Sequence, residues 1–162
     1  MTETIGVLFI FLILVALGIM FYYKYQQVAF KERQEELLQA RAMETTVRAL
    51  FLPELICSRG IAESEENCVD LLKARHFWNS ISDDEPSGEK EYYFNFFSYA
   101  RITLQELYPN TEAEELIIYD WPKEDAQNTE ASYFVVVLRD DTLGQAGLPA
   151  YAFGYLKVEV YS

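Results

Sequence analysis

The chain has 162 residues and a formal net charge of −13, from 26 acidic and 13 basic side chains. A protein this acidic repels polyanions, which excludes nucleic acid as a main partner. Its aromatic content of 15% excludes an acidic disordered tail, because such a chain has large apolar side chains with which to build a core.

The first 52 residues predict one helix. Ile5 to Tyr23, IGVLFIFLILVALGIMFYY, is a run of 19 uncharged residues. At about 1.5 Å per residue it matches a hydrocarbon core of about 30 Å. It is longer than the apolar stretch of a cleaved signal peptide, and MTET before it has no basic residue. Phe21, Tyr22, Tyr23, Lys24 and Tyr25 form an interfacial belt. The next stretch, from Lys24 to Leu52, has neither Gly nor Pro. A continuous helix from Thr2 to Leu52 would be about 75 Å long. Its second half has an apolar stripe, Phe30, Leu37, Ala40, Met43, Val47 and Leu50, at helical spacing. Packing of that stripe on the chain's own sheet is expected in preference to a two-chain coil, since there are few heptads.

Charge divides the chain at the same place. Residues 1–52 carry five basic and five acidic residues and sum to zero, so residues 53–162 hold the whole −13. Two units are expected: a helical rod over 1–52 and an acidic α+β head over 53–162.

Pro53 stops the rod. The segment PELICSRGIAESEEN reads as a loop, and Ser64 as the cap of a second helix through Cys68, Val69, Leu71, Leu72, Phe77 and Trp78. Cys57 and Cys68 have ten residues between them, Gly60 included, and can fold back into a disulfide. Two reduced, half-buried thiols are the alternative. A disulfide places the head in an oxidising compartment, whereas the basic residues after the apolar run place it in the cytoplasm. SISDDEPSGEKE reads as a polar loop. Strands are expected at Tyr92–Tyr99, in a run that Ile102, Leu104 and Leu107 continue as far as Pro109-Asn110, and at Leu116–Trp121, Tyr133–Leu138 and Phe153–Tyr161. In the last, Tyr155, Lys157, Glu159 and Tyr161 alternate with Leu156, Val158 and Val160, the pattern of an antiparallel strand with one wet face. The fold class is therefore α+β: a long N-terminal helix, half transmembrane and half amphipathic, packed on a small antiparallel meander.

Catalysis finds no support in the residues. His76 is the single histidine, within a helical stretch, and no nucleophile signature or phosphate loop is present. Two Cys and one distant His lack zinc spacing. Asp83-Asp84-Glu85 and Asp140-Asp141 lack the spaced oxygen ligands of a calcium loop and read as solvated turns. No catalytic residue, cofactor or metal is expected, and no Asn-x-Ser/Thr sequon occurs.

Taken together, the immediate apolar N-terminus, the early acid Glu3, the unbroken helix, the cysteine loop and the C-terminal strands resemble a type IV pilin. Two departures stand out: pilins usually carry Glu at the fifth mature position, where this chain has Ile5, and no basic leader is visible in the sequence, as expected if this is the mature chain. The segments LPELICSRG, EENCVDLLK and FGYLKVEVY also resemble membrane-anchored archaeal proteins. The pilin resemblance implies a structural subunit that leaves the membrane to form a homo-oligomeric surface filament, alone or with other pilin-like subunits, its head extracellular. It implies assembly through the apolar helix, with Glu3 near a neighbour's terminal amine, Ile5 and Leu12 in the packed bundle, and Gly6 and Gly18 at close approaches. The competing readings are a single-pass anchor whose head binds a partner without polymerising, and a membrane-tethered enzyme or calcium-binding domain.

Overall fold

The computed structural model describes residues 2–59, 63–82, 88–110, 114–126, 128–142 and 149–162; the side chains of 2–4, 59, 63, 64 and 66 fall outside the description. The chain divides into two compact units, Met1–Leu37 and Leu38–Ser162. Helix α1, Thr2–Leu50, runs through the boundary as 49 continuous residues. It stops just short of Pro53, as expected of a residue pair in which Leu52 is steered out of the helical region by the following proline. Its last bonds, Phe51 N–H to the Val47 carbonyl (3.2 Å) and Leu52 N–H to the Ala49 carbonyl (3.3 Å), tighten the end of the helix.

The segment expected to be a loop is two strands, β1 (Ile56–Arg59) and β2 (Glu63–Asp70), paired antiparallel. Ser64 therefore lies within β2 and not at a helix start. The cap of α2 (Leu71–Ile81) is Asp70, whose carboxylate accepts from Leu72 N–H at 3.0 Å and Lys73 N–H at 3.1 Å. Both residues are cap formers; strand pairing of 63–70 decides between them. Asn67 sits in β2 with φ 57°, a left-handed conformation that Asn tolerates better than most residues.

A second correction concerns Tyr92–Tyr99, which is not a strand. Residues Gly88–Phe97 form α3. Its first turn carries Glu89 and Glu91, which favour the positive end of the helix dipole. Tyr93, Phe94 and Phe97 turn inward at helical spacing, while Tyr92 and Phe96 stay exposed. Ser98 at φ 55° ends the helix, its N–H bonded to the Phe94 carbonyl at 2.7 Å.

The remaining strands are β3 (Ala100–Tyr108), β4 (Leu116–Asp120), β5 (Thr129–Asp140) and β6 (Ala150–Tyr161). They join one six-stranded sheet in the order β1-β2-β5-β6-β3-β4. The sheet is mixed, neither small nor a meander: β2 lies parallel to β5, with Cys68 opposite Val137, and every other pairing is antiparallel. In β6 the alternation holds as expected, with Leu156, Val158 and Val160 buried and Tyr155, Lys157, Glu159 and Tyr161 partly open. The buried side chains of the sheet, among them Ile102, Leu104, Ile118, Val136, Leu138 and Leu156, share one core with Leu71, Ala74, Phe77 and Ile81 of α2 and Phe97 of α3.

Helix α1 joins that core by an unexpected face. Leu38, Ala42, Thr45, Thr46 and Ala49 are the buried positions. Of the expected stripe, Leu50 packs against the core, whereas Leu37, Met43 and Val47 are 68%, 69% and 51% exposed. Small residues let the helix backbone lie close to its support, and the buried Thr46 hydroxyl is satisfied by donating to the Ala42 carbonyl at 2.7 Å. Arg48 fastens this end, donating to the Phe96 carbonyl at 2.9 Å and pairing with Glu44 at 2.5 Å.

Candidate functional site

Three features are positioned to act: the apolar stretch of α1, the disulfide of the head, and a cleft between the head's helices. From Ile5 through Tyr23 the large side chains of α1 are exposed on every side of the helix. A helix that is apolar all round needs cover all round. By length and composition α1 is apolar enough to cross a membrane, and none of its apolar stretch is buried. Ile5 and Leu12, expected in a packed bundle, lie in this exposed stretch. At Gly6 and Gly18 a methyl group would meet nothing within 4 Å. The Glu3 side chain lies outside the described residues.

Cys57 and Cys68 are joined in a disulfide with a Cα–Cα distance of 5.4 Å. The bond ties β1 to β2 and lies fully in the interior, its two residues being buried. An interior disulfide in a small head belongs to an oxidising compartment and suggests an extracellular domain.

The cleft, about 570 Å³, lies between α2, α3 and the turn after α1 and is lined by Pro53, Glu54, Lys73, His76, Phe77, Ser80, Gly88, Glu89, Tyr92 and Tyr93. It owes its aromatic walls to the helical form of 88–97, since a strand would have sent Tyr92 and Tyr93 to opposite faces. Tyr92 and Tyr93 meet at 5.2 Å between centroids and 82° between planes; Phe77 meets Tyr93 at 4.7 Å and 78°. The Tyr93 hydroxyl donates to Glu54 Oε1 at 3.3 Å. Burial, then the Glu54 charge and hydrogen bond, push the Tyr93 phenol up to about 12, so it stays protonated. Lys73 lends the cleft its stem, while its ammonium is held by the Ile56 carbonyl and Ser58 Oγ, each at 2.8 Å. His76 is exposed on α2. The residues read from sequence gave no hint of this site, because its walls come from a segment read as strand.

Among the described residues no three His, Cys, Asp or Glu side chains are grouped to hold an ion. Asp83-Asp84-Glu85 lies outside them. Asp140 accepts from Thr142 N–H at 2.7 Å and Asp141 pairs with Arg139 at 2.9 Å, so both carboxylates serve the turn after β5. No protein-family model matches the chain, and neither a curated protein nor a solved structure does.

Proposed function

We propose that this protein is a structural subunit of a pilus-like surface filament, anchored in the membrane by α1 and assembled through the same stretch. The observation that carries the reading is the all-round apolar surface of Ile5–Tyr23 on a helix that continues, unbroken, into a disulfide-bonded head. In a bilayer lipid covers that surface; outside one, only copies of itself would. The exposed stripe of Leu37, Met43 and Val47 extends the apolar cover beyond the anchor and supports the same use. Electron microscopy of the purified protein after detergent removal tests it. Ordered filaments of uniform diameter are expected; dispersed or amorphous protein in every condition would sink the reading.

The second reading is a single-pass anchor that does not polymerise and whose head binds a partner. The cleft between α2 and α3 favours it, since a filament subunit needs no pocket of ligand size.

A further inference from the structure

The cleft between α2 and α3 has the chemistry of a cation site, and we propose that it binds small organic cations of the alkylammonium class. The proposal does not depend on whether copies of the chain assemble. Three observations carry it. First, Tyr92 stands nearly perpendicular to Tyr93, at 82°, so these two walls present rings in more than one direction, while Phe77, at 78° to Tyr93, is buried in the core. A cation held within about 6 Å of such faces is attracted by their quadrupoles. Second, two carboxylates, Glu54 and Glu89, line the same space. Third, the one ammonium there, on Lys73, is bonded to the Ile56 carbonyl and Ser58 Oγ and so is committed to the β1 side. Aromatic faces with a surplus of negative charge select a diffuse positive charge over an anion. A bare metal ion finds less here, since among the described residues no three His, Cys, Asp or Glu side chains are grouped to hold one. A volume of about 570 Å³ admits a head group of several carbons.

The choice of cation follows from the hydrogen bond that Tyr93 makes. Its proton is donated to Glu54, which leaves that carboxylate one oxygen for the ligand and leaves the phenol no charge of its own. The site therefore offers long-range attraction and ring contact more than directed hydrogen bonds, which suits a quaternary or methylated ammonium.

The test uses the full chain in maltoside micelles, which lack ammonium head groups, with choline as the probe and its neutral isostere 3,3-dimethylbutan-1-ol as comparator. Binding is followed by broadening of the ligand methyl resonance in NMR. Choline is expected to bind about 10-fold more tightly than the isostere. Glu89→Gln and Tyr92→Leu should each weaken choline by about 3- to 10-fold, and Tyr92→Phe should retain it. Both positions are exposed, and unchanged circular dichroism shows that the fold survives. Equal binding of choline and the isostere would reduce the cleft to an apolar groove and overturn the proposal. So would unchanged affinity in both weakening variants, or no choline binding up to about 50 mM, a range in which millimolar affinity would register.

Discussion

Gly154 shows how little tolerance the sheet has at one position. It faces inward from β6, and a Cβ placed there would collide with the Gln105 carbonyl oxygen and lie 2.6 Å from Leu138 Cδ1. A leucine tip can shift; a carbonyl fixed in the β3–β6 ladder cannot. Gly154→Ala is therefore expected to lose about 1–3 kcal/mol of stability, measured by chemical denaturation, even though alanine is apolar and the site is buried. Tyr93 carries a different kind of sensitivity. Burial and the Glu54 carboxylate raise its phenol from 10.0 to about 12. A raised phenol binds its proton more tightly when folded, so its contribution is complete below pH 10 and is lost as pH climbs through about 12. Stability of the native chain should fall over that window, and Tyr93→Phe should flatten the fall. Tyr119, also raised by burial and donating its hydroxyl to the Ser98 carbonyl at 2.8 Å, accounts for part of what remains.

Among the elements, α1 separates what can be read from a pattern from what depends on a partner. Its existence, continuity and end near Pro53 were legible, because an apolar run and a breaker-free stretch admit few alternatives. Its inward face was not. Hydrophobicity ranks Leu37, Met43 and Val47 above Ala42, Thr45 and Thr46, yet the second set is buried. Close approach of a helix backbone favours small side chains, and no periodicity analysis weights that. Leu37 and Leu38 are neighbours of one type in opposite settings, 68% and 6% exposed. Leu38→Ala is expected to cost about 2–4 kcal/mol in thermal unfolding, and Leu37→Ala less than about 0.5. Equal costs would place α1 in the wrong rotation. Helix α3 failed for a related reason. Its aromatics carry strand propensity, but the inward set Tyr93, Phe94 and Phe97 has helical spacing, and Glu89 and Glu91 suit a helix start. Aromatic composition favours a strand there and the period of three and four a helix, and the period decides. The cleft depended on that helix, so it was illegible for the same reason, whereas β6 and the cysteine pair were read correctly from alternation and spacing.

At the scale of the whole molecule, the question is whether the apolar helix is only an anchor or also an interface, and Gly18 distinguishes the two. Within one chain a Cβ at Gly18 meets nothing within 4 Å, so the position faces open space. Gly18→Leu keeps the stretch apolar and replaces a residue poorly suited to a helix interior with one of the best, a gain of about 0.8 kcal/mol in helix propensity. Nothing inside a single copy is harmed, so membrane insertion and head folding should be unchanged or improved. Against a packed neighbour the same side chain has nowhere to go and costs about 1–3 kcal/mol at each contact. Repeated along a polymer, that cost should abolish assembly while the membrane-bound pool rises. The measurement is imaging of cells carrying Gly18→Leu beside wild type, with the variant's membrane fraction quantified. Loss of filaments with normal membrane abundance locates an interface at Gly18. Filaments of normal length would exclude close helix packing there. If wild-type cells form no filaments in any growth condition, α1 serves as an anchor alone, and its exposed apolar surface is matched to lipid.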